Sequence, residues 1–228
     1  MKASDGTDEA KRRAGESASG QVENGMVVGL GTGSTAAHAI RALGEKVAAG
    51  MEIQGVPTSY QSRTLAREVG IPLCTLEAAR PDIAIDGADQ LQLDGALVKG
   101  GGAAHAREKI VDTSAPRCLI VADDTKLTDT LDHPIPVEVL PDAVPTVEQA
   151  IHERDGDPTV RTAQRKDGPV VTDNGNLVLD CAFGPIETPE TLAASLSAIP
   201  GVVEHGLFIG VATELHIGSN DGVSIHSV

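Results

Sequence analysis

The sequence predicts an α/β protein: a parallel-sheet domain carrying a smaller ferredoxin-like α+β domain. Three observations lead there. Short apolar runs alternate with helix-patterned stretches up to residue 132, as strands buried by helices on both faces require. Past Pro134-Ile135-Pro136 the texture changes, and the elements read close to βαββαβ, the plan of a ferredoxin-like unit. With one Tyr, two Phe and no Trp, the core must be built from Val, Ile, Leu and Ala. The expected division is residues 1–132 with 207–228 as the larger domain, and 133–206 as the smaller.

Each element has its own local reason. Residues 1 to about 24 are polar and rich in Ala, Glu, Arg and Ser, a frayed start leading into a helix. MVVGLG (26–31) is a short apolar run ending in glycine and reads as a buried strand. Ser34 or Thr35 then stands where it can cap a helix whose Ala36, Ile40, Leu43 and Val47 share one face. MEIQGV (51–56) reads as a strand, and 59–69 as a helix capped by Thr58 or Ser59 and ended by Gly70. IPLCTL (71–76) and DIAID (82–86) read as strands, punctuated by ARPD. The Asp-Gly in LQLDGALVKG turns a small hairpin that brings Lys99 back toward Asp86. A helix from Ala103 to about Thr113 and a strand over RCLIVADD (117–124) follow.

Beyond the prolines, VEVLP, TVEQAIHER and TVRTA read as strand, helix and strand. VVTDNGNLVLDCA reads as two arms about Asn174-Gly175, a strong turn signal. TPETLAASLSAI is a helix with Thr188 in capping position, and VVEHGLF a final strand. The tail, 214–228, is expected to return to the first sheet.

Composition excludes several classes of function. A net charge of −15 repels nucleic acid and anionic membrane. The acids are scattered rather than blocked into a tail, which reads as an acidic surface suited to high salt. No apolar run approaches the ~18 residues of a membrane span, and MKASDGTDEAKRRAGESASG has no apolar leader core. Cys74, Cys118 and Cys181 follow no metal or disulfide spacing and suit a reducing cytoplasm. The seven histidines form no HExxH or HxH pair, so no metal site is expected.

The chemistry concentrates between Asp86 and Lys109, DGADQLQLDGALVKGGGAAHAREK. Acids, a cation and exposed backbone N–H groups gather there. Three consecutive glycines are unfavourable to order, and let a ligand approach the backbone closely. GLGTGSTA (29–36) follows a strand and opens a helix, a setting for phosphate. It lacks the GK[ST] of a P-loop, and Ser34 stands where a dinucleotide fingerprint needs its third glycine. In parallel sheets ligands bind beyond the carboxyl ends of strands; Gly31-Thr32, Asp86 and Asp123 all fall at such ends. Taken singly, each residue also has an ordinary reading: Asp86 and Asp89 as a turn pair, Glu108, Lys99 and Lys126 as solvated charges.

The ordered set is more telling. GLGTGSTAAH, GVPTS, IDGAD, LVKGGGAAHAREKIV, ADDTKL, PIPVEVLP, TDNGN and PGVVEHGLF resemble type A ribose-5-phosphate isomerases, from about Met26 to the C-terminus. The resemblance implies a Rossmann-like first domain and metal-free, cofactor-free interconversion of D-ribose 5-phosphate and D-ribulose 5-phosphate through an enediolate, within the non-oxidative pentose phosphate pathway. It implies Glu108 as the base, with Lys99 and the N–H groups of Gly100, Gly101 and Gly102 stabilising the enediolate. Asp86 and Asp89, flanking Gly87 and Ala88, would bind hydroxyls and assist ring opening or the O1/O2 proton shuffle. Thr32, Gly33, Ser34, Thr35 and Lys126 match ligand-binding positions, phosphate contacts among them. The family is usually homodimeric or homotetrameric, so a cytoplasmic homo-oligomer acting on a small sugar phosphate is expected. Lys99→Ala is expected to damage rate more than stability.

Two positions depart from the family pattern. Gln90 stands where glutamate is general, and His105 lies three residues before Glu108 on the same helix. Two other readings compete: an amino-sugar phosphate isomerase or deaminase on a related fold, and a silent sugar-phosphate sensor. The KGGG…REK pairing speaks against the first, and the joint presence of Asp86, Asp89, Lys99 and Glu108 against the second.

Overall fold

The Thr7 side chain accepts a hydrogen bond from Ala10 N and so starts α1 (Asp8–Ser19). The structure is a computed structural model and describes residues 6–228; the frayed start expected before Gly6 lies outside them. After α1 come β1 (Val27–Leu30), α2 (Ser34–Ala48), β2 (Gln54–Pro57), α3 (Tyr60–Glu68) and β3 (Ile83–Gly87). A hairpin of β4 (Gln90–Leu91) and β5 (Leu97–Val98) leads to α4 (His105–Ser114) and β6 (Cys118–Asp123). The next block is β7 (Ile135–Val139), α5 (Val144–His152), β8 (Asp157–Val160), β9 (Leu177–Ala182), α6 (Pro189–Ser197) and β10 (Val202–His205). The chain closes with β11 (Leu207–Phe208), β12 (Glu214–Gly218) and β13 (Val223–Ser227).

The large sheet has the order β13-β12-β6-β3-β1-β2, parallel except for the antiparallel edge strand β13. Its strands alternate between two cores, as the period of two demands. Ile83, Ile85, Leu119 and Val121 face one core, with Ile40 and Leu43 of α2. Ala84, Cys118, Ile120 and Ala122 face the other, with Phe208 and Leu215. The alternation puts Asp86 on the Ala84 face. The four-stranded sheet runs β10-β7-β9-β8, antiparallel throughout, which completes the ferredoxin-like plan. Its own core gathers Val137, Val139, Val147, Ile151, Leu179 and Leu196.

Several local expectations differ from what forms. IPLCTL is no strand: Leu73 makes a single parallel bridge to Gly55. Pro72, without an N–H, interrupts the ladder at this sheet edge. Neither Ser34 nor Thr35 caps α2; the capping position is Gly33, at φ 117°, and no side chain of the described residues caps the first turn. Ser59 does cap α3, accepting from Ser62 N at 3.1 Å. Thr188 occupies its capping position without a side-chain bond. Of the two arms about Asn174-Gly175 only β9 is a strand, with one bridge, Val171 to Leu177, opposite it. VVEHGLF breaks at Gly206 into β10 and β11, which belong to different sheets. Gly206 N donates to Pro136 O at 2.7 Å and its carbonyl accepts from Lys99 N at 2.8 Å. A Cβ there would lie 2.1 Å from Lys99 O, so only glycine allows the crossing.

The TDNGN turn ties the two sheets together. Glu138, fully buried on β7, accepts at Oε1 from Thr172 Oγ1 (2.9 Å), Asn174 Nδ2 (3.0 Å) and Asn176 Nδ2 (2.7 Å). The turn so held presents Asp173, whose Oδ2 accepts from Tyr60 N at 2.8 Å in the first turn of α3. A buried carboxylate with three donors organises a turn that caps a helix of the other sheet. Removing it leaves three donors without their acceptor. Glu138→Ala is therefore expected to lower unfolding free energy by about 2–4 kcal/mol, since hydrogen bonds to charged groups contribute roughly 1.5–3 each and do not add. Urea unfolding measures this; a loss under about 1 kcal/mol would mean the carboxylate does not organise the turn.

Candidate active site

At the carboxyl end of β3, Asp86 is fully buried, and its Oδ1 accepts from Thr32 N at 3.0 Å and Gly87 N at 2.7 Å. Gly31 makes room: a Cβ there would lie 2.1 Å from the same oxygen. Asp86 Oδ2 lies 3.0 Å from Lys99 Nζ, which also donates to the Gly87 carbonyl. Lys99 is 2% exposed, and Glu108 Oε2 lies 3.5 Å from the same ammonium. The hairpin β4–β5 and the bond to Gly206 aim Lys99 inward, and the first turn of α4 carries Glu108 to meet it. The ammonium also stands 5.2 Å from the centroid of the Phe208 ring.

Electrostatics here follow from burial. Loss of water works against the charge on Lys99, yet Asp86, Glu108 and Asp112 together hold its ammonium well above the usual lysine range. Burial, and after it Asp86, pushes Glu108 up to about 8, with Lys99 pulling the other way. Burial and then Asp86 likewise hold Asp112 well above the carboxylate range. Single breaks in such a cluster leave uncompensated buried charge.

A cavity of about 210 Å³ opens over this cluster. It is lined by every binding residue the sequence singled out (Thr32, Gly33, Ser34, Thr35, Gly87, Ala88, Gly100, Gly101, Gly102 and Lys126) together with Asp89, Lys99 and Glu108. Asp86 does not line it; it sits behind Lys99. Asp89 Oδ2 accepts from Gly101 N at 2.6 Å, so that N–H is already taken and is not open to a ligand. At the other end, Gly33 at the capping position leaves the first N–H groups of α2 without a side-chain cap among the described residues. Lys126, on the 3₁₀ turn Asp124–Lys126 after β6, stands beside them. The Thr32 hydroxyl, by contrast, is occupied by Thr58 (2.8 Å) and Ser59 (2.6 Å).

Three residues of the site escaped the sequence reading. Lys11 and Gln61 line the cavity. Lys11 had a signal: it shares the buried face of α1 with Ala14 and Ala18. Gln61, one residue into α3, had none. Arg161, beyond β8, donates to Gly100 O (2.8 Å) and Gly101 O (3.3 Å) while its Nε holds Asp180 at 2.9 Å, bracing the glycine loop from the smaller sheet. Gln90 faces away from the cavity. Its amide donates to Asp132 Oδ1 at 2.7 Å and accepts from Asp132 N and His133 N, a two-way bond that glutamate could not make with Asp132 ionised. His105 is fully buried against Glu204 O at 3.3 Å, and burial, then Arg161, pushes it down to about 3. It is neutral and takes no part in proton exchange near neutral pH.

Known proteins resemble this chain in sequence and in fold. The model of the family described as ribose 5-phosphate isomerase A (phosphoriboisomerase A) matches residues 54–222. A ribose-5-phosphate isomerase A from Natronomonas pharaonis is 64% identical over 99% of this chain and 100% of its own. Among solved structures, a ribose 5-phosphate isomerase A from Methanocaldococcus jannaschii superposes with a TM-score of 0.94 at 40% identity, over 97% of this chain and 99% of its own. A D-ribose-5-phosphate isomerase in complex with phospho-erythronic acid superposes equally, TM-score 0.94, at 39% identity over 97% and 99%. With its parallel sheet, its ferredoxin-like unit and a lysine set among carboxyls at the sheet's carboxyl edge, the chain belongs to the ribose 5-phosphate isomerase A family.

Proposed function

We propose that this chain interconverts D-ribose 5-phosphate and D-ribulose 5-phosphate by moving a proton between C2 and C1 through an enediolate. The observation that carries this reading is the Glu108 carboxyl set 3.5 Å from the Lys99 ammonium at the floor of the cavity. A carbonyl-adjacent proton needs a base, and the enediolate needs a fixed positive charge beside it. Glu108 supplies the first: held near 8 by burial and Asp86, it binds a proton firmly enough to carry it from one carbon and lightly enough to return it to the other. Lys99 supplies the second.

The other roles follow from position. Asp89, pinned at Oδ2 by Gly101, keeps Oδ1 for sugar hydroxyls and ring opening. Asp86, being out of the cavity, orients Lys99 instead of touching the sugar. The open first turn of α2, with Ser34, Thr35 and Lys126, takes the phosphate. No metal enters this scheme, because the ammonium already fills the position a cation would take among these carboxyls. The break at Gly206 supports assigning 1–132 with 207–228 to the catalytic domain and 133–206 to the smaller one. Three free cysteines support a reducing, cytoplasmic setting. Leu140, just past β7, and Val203, on the paired strand β10, are 52% and 43% exposed and support a homo-oligomer.

The deciding assay is conversion of ribose 5-phosphate to ribulose 5-phosphate in concentrated KCl, with and without EDTA. Fast turnover unchanged by EDTA is expected; binding without turnover would point to a sensor, and EDTA-sensitive turnover to a metal. For the base, kcat/KM should fall with acid below about 8, because Glu108 is protonated there and cannot accept. Glu108→Gln should fold, bind, and lose most turnover together with that acid limb, by roughly 10²-fold or more. A variant near wild-type rate would remove Glu108 from the role of base. Lys99→Ala strands its buried carboxyl partners, so burial replaces the expectation of a mainly kinetic defect: about 3–5 kcal/mol of stability should go as well. Unfolding in denaturant reads the difference, and an unchanged midpoint would contradict the buried pairing.

A further inference from the structure

One buried ionisable group has no part in the scheme above. Asp112 lies on α4 one turn beyond Glu108, on the same face, and is 1% exposed. Among the described residues, neither of its oxygens receives an N–H or O–H donor. Its carboxyl meets that of Asp86 within hydrogen-bonding reach. Asp86 Oδ1 is filled by two backbone N–H groups, while Oδ2 has the Lys99 ammonium and, among the described residues, no other donor. Two ionised carboxyls offer each other only acceptors, so contact between them requires a proton.

Charge counting gives the same result. Among the described residues, Asp86, Glu108 and Asp112 face a single cation, Lys99, in a region where none of the four is more than 4% exposed. Three ionised carboxyls would leave an excess of two buried negative charges, which burial does not tolerate. Asp86 accepts from two backbone N–H groups and faces the ammonium, while Asp112 has no such donor among the described residues, so the proton in their contact is Asp112's to give. The remaining neighbour, Cys118 on β6, is a thiol pushed up by burial and then by Asp112, and brings no charge. On β10, Glu204 and His205 engage Lys109 instead.

We propose, resting on the isomerase reading, that Asp112 is a positioning residue. Its neutral carboxyl donates its proton to Asp86 Oδ2 and thereby fixes Asp86 and Lys99 beneath Glu108. The resulting chain runs Asp112, Asp86, Lys99, Glu108. It starts and ends on α4, so the helix that carries the base also sets the cation against which the base works. Burial raises the Asp112 pKa in the direction this requires.

Two substitutions and one spectrum test it. The amide of Asp112→Asn can still donate to Asp86, so kcat should stay within about threefold and the acid limb of kcat/KM should not move. Asp112→Leu has no donor; kcat should fall roughly 10- to 100-fold with KM nearly constant, and the limb should shift, as misplacement of reacting groups by a fraction of an ångström produces. Wild-type kinetics in Asp112→Leu, or equal damage in both variants, would overturn the proposal. Carbon-13 NMR of aspartate-labelled protein at neutral pH should show one protonated side-chain carboxyl that Asp112→Asn lacks, a readout that stands even if the leucine variant does not fold. If no such resonance exists, the proton assignment falls whatever the activity. If it exists and the protein does not turn over ribose 5-phosphate, the functional reading falls with the positioning role, and the shared proton remains.

Discussion

The Lys99 ammonium, enclosed by carboxyls and nearly without water, is the constraint on which the rest of the structure depends. A buried charge persists only when its partners are held in place, and each partner here is held by a different part of the chain. Asp86 is fixed by the backbone of Thr32 and Gly87, at the ends of β1 and β3. Glu108 arrives on α4. Lys99 itself hangs from a two-stranded hairpin tied to Gly206, where the chain passes from one sheet to the other. Parallel strands, the crossover helix and the insertion of a second sheet all converge on a single nitrogen.

Much of this was legible in the residues, and the limits have physical causes. The alternating apolar runs and the βαββαβ order could be read because period and turn chemistry are local. IPLCTL was overread because an apolar run says nothing about whether a neighbouring strand can pair with it, and Pro72 removes the donor at the place where pairing would begin. VVEHGLF looked continuous because the sharp crossing at Gly206 is enforced by contact with Lys99, a residue more than 100 positions away.

The candidate site was legible as a set of motifs, while its division of labour was not. Thr32 to Thr35, Asp89, Lys99, the three glycines, Glu108 and Lys126 were named from spacing and resemblance, and they line one cavity. That Asp86 stands behind Lys99, or that Gly101 gives its N–H to Asp89, depends on side-chain directions that no motif encodes. Lys11, Gln61 and Arg161 come from elements with no signature of their own. Asp112 is the clearest case: in a sequence it is one more acid on a helix among 33 Asp and Glu residues, and only depth distinguishes it from the solvated ones.

The cavity has one wet end and one dry end, and dissolved ions act differently on each. Screening in 1 M salt reaches within about 3 Å of an exposed charge, but it does not enter where water does not. The open turn of α2, with Ser34 exposed at its first position, is within reach of chloride, an anion that can occupy the same N–H groups as a phosphate. The carboxyls around Lys99 are out of reach. On the proposed assignment of the site, brine bears on how the phosphate is held and leaves the proton transfer alone, so the many surface acids can answer to the salinity of the solvent while the chemistry keeps to a dielectric of its own.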